Sequence, residues 1–182
     1  MDKAVRLQAS LDEVRAANDC MVAAMNNIAG PYGRAYGRCV SDLYYACYHL
    51  ARALLVSRGI AAGSHEAVQT LLALHFVKPA ALPQDTVGKL NELMDKRHVA
   101  DYKPHITIGS EDIARFQPWI AGFVRGVLKL LGKSAPAAEA EPGAELLHQA
   151  FDAYDLAALG AHWASIIGTS FVPWRLSRSS RT

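Results

Sequence analysis

A chain of 182 residues with 19 basic and 17 acidic side chains has a formal net charge of only +2. This length predicts one domain with its own core plus an appendage. The near-neutral charge does not by itself require a nucleic-acid or anionic-membrane partner. Cys20, Cys39 and Cys47 form no CxxC pair, which argues against a disulfide framework or a zinc ribbon. Without a secretion signal or a membrane-spanning run, we expect a cytoplasmic protein with no metal, cofactor or membrane partner.

The spacing of apolar residues predicts five helices in chain order and no strand. The first three are expected at about residues 2–27, 34–58 and 64–78, with Gly59 closing the second helix and Ser64 capping the third. The fourth is expected from about residue 85 to 100, and the fifth from 110 to 131 despite Pro118 within it. The predicted fold is therefore an all-α, up-and-down helical bundle of about five helices.

The composition changes after this predicted bundle, which comprises residues 1–132. Residues 133–143 are small side chains with two prolines, which is typical of a linker. Residues 144–168 favour a sixth helix and the last residues form a basic tail, so we expect 144–182 to be a C-terminal helical extension and tail. Its apolar residues need cover, either from the bundle or from a second subunit.

The fourth predicted helix has a charge on its apolar face. The residues at spacings of three and four on this face are Leu90, Leu93, Met94, Arg97 and Asp101. Arg97 thus occupies a position patterned for the core, and Asp101, one turn later, can supply the carboxylate that a buried guanidinium requires. Either this pair is structural, or the charge of Arg97 is retained for a ligand.

Further polar side chains are concentrated on the second and third predicted helices. Tyr44 and Tyr48 form a row beside Tyr45. Such tyrosines are either core residues with satisfied hydroxyl groups or platforms on which a ligand stacks. His65 follows the N-cap Ser64, where free backbone donors could help to hold a phosphate. Alternatively, His65 is a capping-turn residue that bonds to a neighbouring loop.

Six segments occur in an order and spacing known from one family of helical domains. They are Tyr44-Tyr45-Ala46, Ala53-Leu54-Leu55, Gly59, Ser64-His65, Phe76-Val77-Lys78 and Arg97-His98-Val99-Ala100-Asp101-Tyr102. On these segments the chain resembles HEPN domains, over roughly residues 32–131. It is most similar to the branch often encoded beside a minimal nucleotidyltransferase.

The resemblance implies a helical bundle that commonly dimerises and, in many members, is a metal-independent endoribonuclease. Such members have an arginine followed, after four to six residues, by a histidine, because protein groups must activate the 2′-hydroxyl and stabilise the phosphate charge. Arg97 matches the arginine, whereas seven residues separate it from His105. Tyr102 matches in type a tyrosine that is modified in relatives paired with nucleotidyltransferases. The resemblance also implies a homodimer and a nucleotidyltransferase partner.

Three functional hypotheses remain open at this point, because a fold does not assign a function. The first is a nucleotide- or RNA-binding partner module of a toxin–antitoxin or nucleotidyltransferase-associated system, with the binding residues Arg97, Asp101, Tyr102, His65, Ser64 and Tyr45. The second is a metal-independent endoribonuclease with Arg97 and a displaced histidine, His105 or His65, as catalytic residues. The third is a dimeric helical scaffold.

Overall fold

The computed structural model describes residues 3–29, 35–103 and 105–134. These residues form five α-helices and no strand, which confirms the predicted all-α bundle. The predicted C-terminal helix, the basic tail and residues 135–143 of the predicted linker lie outside the described residues. The helices are α1 (Lys3–Ala29), α2 (Tyr36–Ser57), α3 (His65–Leu72), α4 (Thr86–Tyr102) and α5 (Ser110–Ser134).

The predicted helix ends agree with the local chemistry at two positions. Gly59 has a positive φ of 75°, and its N–H donates to the carbonyl of Val56 at the end of α2. Ser64 caps α3, because its hydroxyl oxygen accepts a hydrogen bond from the Ala67 N–H at 3.1 Å. In contrast, α5 passes through Pro118 and continues to Ser134, so the first two residues of the predicted linker are helical.

The segment after α3 differs from the sequence-based expectation of one continuous α-helix. Residues Ala73–Val77 form a π-helical turn, which a pattern of apolar spacing does not distinguish from α-helix. The chain then reverses at Ala80, whose φ is 58°, and the Phe76 carbonyl accepts hydrogen bonds from the N–H groups of Ala81 and Leu82. This reversal returns Leu82 to the core, where it is buried.

Helix α2 is the centre of the bundle, since it packs against each of the other four α-helices. Its antiparallel alignment with α1 is fixed at both ends. Ser10 Oγ donates to the Ala53 carbonyl at 3.0 Å, and Asn27 Nδ2 donates to Asp42 Oδ2 at 2.7 Å. Burying a large apolar side chain contributes about 1.5–3 kcal/mol. The fully buried large side chains are Tyr44, Phe76, Leu43, Leu54, Leu55, Leu72, Leu90, Leu93, Ile113, Ile120, Leu131 and Val40.

Helices α4 and α5 are joined by polar contacts near the start of α5. Lys96 Nζ lies 2.7 Å from Asp112 Oδ1, and the Gly109 N–H donates to Asp112 Oδ2. Burial alone would raise the pKa of Asp112, but the hydrogen bonds from Lys96 and Gly109 lower it below its usual value. This carboxylate also suits the positive end of the α5 dipole. In the part of the chain that the structure describes, no helix meets the length and hydropathy needed to cross a membrane.

Candidate anion-binding site

The polar pair on the apolar face of α4 is formed as its spacing predicts. Arg97 Nε donates to Asp101 Oδ2 at 2.9 Å, and the two side chains are 13% and 21% exposed. The other carboxylate oxygen of Asp101 accepts a hydrogen bond from Ser41 Oγ on α2 at 2.7 Å. Asp101 therefore holds Arg97 by one edge of the guanidinium and ties α4 to α2 through the other oxygen.

The guanidinium of Arg97 lies over aromatic rings of α2. Its Cζ is 5.0 Å from the centre of the Tyr45 ring and 5.8 Å from that of Tyr44, within the range of a cation–π contact. Among the described residues, the two terminal nitrogens of Arg97 make no hydrogen bond, and neither is a buried unpaired atom. Within the described part of the chain, their N–H groups therefore remain available as donors.

His65, the first residue of α3, lies against the same rings. Its Nδ1 is 2.6 Å from the hydroxyl of Tyr44, and its ring stacks on Tyr48 with centroids 4.2 Å apart. Burial lowers the pKa of His65, and the nearby charges of Arg97, His98, Arg52 and His49 lower it further. The imidazole of His65 is therefore neutral at neutral pH.

The proton positions in the Tyr44–His65 pair follow from these pKa shifts. Burial, with a further contribution from Tyr48, raises the pKa of Tyr44 to about 12, so its hydroxyl group keeps its proton. Within the described residues, His65 Nδ1 is the one acceptor for that proton. A neutral imidazole that accepts at Nδ1 has its own proton on Nε2. His65 thus presents an N–H donor from the nitrogen that is not bonded to Tyr44.

The acidic groups of the region are already engaged by the protein. Asp101 accepts from Arg97 and Ser41, and Asp42 accepts from Asn27. Burial raises the pKa of Asp42, and the negative charge of Asp101 adds to this effect, while Asn27 and Arg38 oppose it. In the three described ranges, no group of three or more histidine, cysteine or acidic side chains is arranged to hold a metal ion. The unused groups are donors, which suit an anion.

The structure brings together four of the residues that the sequence singles out and separates the others. Arg97, Asp101, Tyr45 and His65 converge on one cluster. The Ser64 hydroxyl is used as the cap of α3. Two further candidates are exposed: Tyr102, with 71% of its surface in solvent and its ring 6.1 Å from that of His98, and His105. The histidine that accompanies Arg97 in the structure is therefore His65.

The sequence analysis missed a second polar group at the far end of the same rings. Glu13 of α1 lies 2.8 Å from His49 Nδ1 through one oxygen and 2.9 Å from Arg52 Nη2 through the other. The Arg52 guanidinium is in turn 5.8 Å from the centre of the Tyr48 ring. The available signal was a stripe on α2 with intervals of four, three and four positions, namely Ser41, Tyr45, Tyr48 and Arg52.

Comparison with known proteins gives one family and two relatives. A family model described as HEPN domain matches residues 12–121, more than half of the chain. The chain is 31% identical over 77 residues to a protein of Methanocaldococcus jannaschii that has the name "putative toxin", covering 42% of this chain and 52% of that protein. It is 24% identical over 92 residues to a "UPF0332 protein" of Thermotoga maritima, covering 50% and 70%. The match thus spans about half the length of the first relative.

Proposed function

The chain belongs to the HEPN domain family, and we propose that it binds the phosphate of a nucleotide or RNA at the Arg97 site, as a partner module of a toxin–antitoxin or nucleotidyltransferase-associated system. One observation supports this function above the others. Among the described residues, Asp101 is bonded to Arg97 through Nε, so the two terminal nitrogens keep unused N–H donors, and the neutral His65 packs against the same tyrosine as Arg97.

A phosphate matches the donors that this arrangement leaves unused. The outer edge of a guanidinium presents two parallel N–H groups, which fit two phosphate oxygens. His65 adds an N–H donor from Nε2 and no negative charge that would repel the anion. Asp101 lowers the local positive charge, but the hydrogen bond that its carboxylate accepts from the Ser41 hydroxyl partly compensates its negative charge. The site binds phosphate without needing a metal ion.

Substitution of Arg97 tests this function directly. The affinity of the full chain for a short fluorescent RNA and for AMP is measured by anisotropy and by competition at low salt. Removing a charge-assisted contact costs about 1.5–3 kcal/mol, so Arg97→Gln should weaken binding of both ligands by about 10- to 100-fold. Arg115→Gln is the matched control, because it removes another arginine that is paired with a carboxylate, Glu92. Equal affinities for the parent and Arg97→Gln would contradict the proposal.

Metal-independent cleavage of RNA is a second candidate function, favoured by the position of His65 beside Arg97. The Tyr44 hydroxyl disfavours it, because Tyr44 donates to Nδ1 and leaves His65 without a free lone pair to accept the 2′-hydroxyl proton. We therefore expect intact RNA after incubation with the chain and a chelator. If the chain cleaves RNA, and cleavage disappears in both Arg97→Gln and His65→Gln but persists in His105→Gln, the proposed binding function would have to be replaced by a catalytic one.

The biological setting is also a proposal. The name of the M. jannaschii relative supports a toxin-like role, and the homodimer and nucleotidyltransferase partner are further expectations of the family resemblance. Light scattering on the purified chain tests the dimer, with a mass of about 19.7 kDa contradicting it. Co-purification with a nucleotidyltransferase encoded next to this chain tests the partner.

A further inference from the structure

Two arginines stand at opposite ends of one aromatic cluster, which consists of Tyr44, Tyr45, Tyr48 and His65. Arg97 lies over Tyr45 at one end, and Arg52 lies beside Tyr48 at the other. Each arginine is held by a carboxylate: Arg97 by Asp101 of its own helix, α4, and Arg52 of α2 by Glu13 of α1. The cluster is therefore flanked by two cations that the protein has fixed in place.

The second arginine retains donors that the fold does not use. Glu13 contacts Arg52 through Nη2 alone, and the Arg52 side chain is 35% exposed. In the described ranges, neither of its other nitrogens is bonded, and neither is a buried unpaired atom. Arg52 thus resembles Arg97, in that one nitrogen is held by a carboxylate and the others have no bond within the described residues.

The separation of the two arginines exceeds the size of a single phosphate. Tyr45, which lies under Arg97, and Arg52 are seven positions apart on α2, which corresponds to about 10 Å along the helix axis. Successive phosphates of one nucleic-acid strand are about 3.4 Å apart along the axis when the bases are stacked, and farther apart when the strand is extended. A strand of about three to four nucleotides can therefore reach from one arginine to the other.

Resting on the proposed phosphate site at Arg97, we propose that Arg52 is a second phosphate subsite, so that the protein recognises a single-stranded oligonucleotide in preference to a mononucleotide. His65 lies between the two subsites, because its ring packs against Tyr48, which Arg52 contacts, and against Tyr45, which lies under Arg97. Glu13 restrains the second subsite in the way that Asp101 restrains the first. The two subsites set a minimum ligand length.

The test compares three ligands with the full chain: AMP, inorganic tripolyphosphate and a four-nucleotide single-stranded RNA. Arg52→Gln should weaken binding of the tetranucleotide by about 5- to 10-fold and reduce the slope of log affinity against log salt by about one. The affinities for AMP and tripolyphosphate should stay within about twofold, because neither spans both subsites. Arg115→Gln, with its own carboxylate partner Glu92, should leave all three affinities unchanged.

A second variant moves the affinity in the opposite direction and does not remove the arginine. Glu13→Gln keeps a hydrogen-bond acceptor beside Arg52 but removes the negative charge. It should strengthen binding of the tetranucleotide by about 3-fold and leave the affinity for AMP unchanged, because the charge of Arg52 is then no longer compensated by a carboxylate and is available to the ligand. Circular dichroism confirms that each variant is folded, and the double variant Glu13→Gln/Arg52→Gln avoids leaving an unpaired charge.

The outcomes separate this inference from the function on which it rests. If Arg97→Gln weakens both AMP and the tetranucleotide while Arg52→Gln and the double variant change neither, the second subsite is overturned and the phosphate site stands. If Arg52→Gln weakens AMP as strongly as the tetranucleotide, Arg52 is not a separate subsite. If Arg97→Gln changes neither affinity, or the parent binds none of the ligands, the proposed function fails and the second subsite fails with it.

Discussion

Two arginine–carboxylate pairs, at the two ends of the aromatic cluster, are built in different ways. Arg97 and Asp101 are four positions apart on one helix, and Asp101 has a second partner in the neutral hydroxyl group of Ser41. Glu13 and Arg52 belong to two helices, and Glu13 also contacts the imidazole of His49. The two arginines are therefore not equally replaceable, because among the described residues Asp101 contacts one cation, whereas Glu13 contacts both Arg52 and His49.

Removing each arginine should therefore give unequal losses of stability. Arg97→Met leaves a largely covered carboxylate with one neutral donor, and we expect the free energy of unfolding to fall by about 2–3 kcal/mol. Arg52→Met should lower it by less than about 1 kcal/mol, because the Arg52 side chain is 35% exposed and Glu13 keeps His49. Urea denaturation of the three proteins measures the difference.

A double variant distinguishes the loss of the Arg97–Asp101 pair from the cost of leaving the Asp101 carboxylate without its cation. Arg97→Met/Asp101→Leu removes both charges, so its stability should lie closer to the parent than that of Arg97→Met alone. A double variant that is less stable than the single one by the full effect of Asp101→Leu would show that the two side chains act independently. The proposed role of Asp101 in holding Arg97 would then be wrong.

Two buried serines allow a hydrogen bond to the charged Asp101 to be compared with a hydrogen bond to a neutral acceptor. Ser41 donates to the Asp101 carboxylate, and Ser10 donates to the neutral carbonyl of Ala53; both serines are buried. Since bonds to charged groups contribute about twice as much as neutral ones, Ser41→Ala should cost about 2 kcal/mol and Ser10→Ala about 1 kcal/mol. Equal losses in urea denaturation would argue that Asp101 is solvated by water and does not rely on Ser41.

The Ser64 cap of α3 positions His65 between the Arg97 and Arg52 ends of the aromatic cluster, so its loss should lower the stability of the protein. Ser64→Ala removes the acceptor for the Ala67 N–H, and we expect a loss of about 1 kcal/mol in the free energy of unfolding. Ser64→Asp retains a capping oxygen and should keep most of the stability. Thermal unfolding of both variants checks this, and a melting temperature unchanged in Ser64→Ala would mean that the cap contributes nothing.

The smallest expected effect is the dependence of stability on pH through His65. Its pKa is lowered in the folded protein, chiefly by burial and then by Arg97, so below the ordinary value of 6.5 the unfolded chain binds more protons than the folded one. Stability is therefore complete above about pH 6.5 and decreases as the pH falls through that value towards the lower folded pKa.

Urea denaturation between pH 7 and pH 5 isolates this contribution. His65→Gln should flatten the decrease relative to the parent, because it removes the group whose pKa is lowered on folding. Arg97→Met should flatten it more than Arg52→Met, since Arg97 is the stronger of the two charges acting on His65. The reverse order would place His65 nearer to the Arg52 end than the structure does.

The helices were predictable because their signals are local. Apolar spacing, Gly59 and Ser64 act within one or two turns, and the structure begins and ends the helices within a few residues of those signals. The end of α5 was placed too early, since the small residue Ser134 is still helical. The π-helical turn at Ala73–Val77 was not predictable from apolar spacing, because that spacing does not distinguish it from an α-helix.

The amino-acid sequence alone determined the all-α bundle and the contact between Arg97 and Asp101, because residues four positions apart on a helix must face the same side. The tertiary structure decided which histidine shares the tyrosine rings with Arg97: it is His65 and not His105, because α3 packs beside α2 and brings His65 Nδ1 to the Tyr44 hydroxyl. It likewise joined Glu13 to Arg52 across two helices. Contacts between distant segments depend on how whole helices pack, which no local pattern specifies.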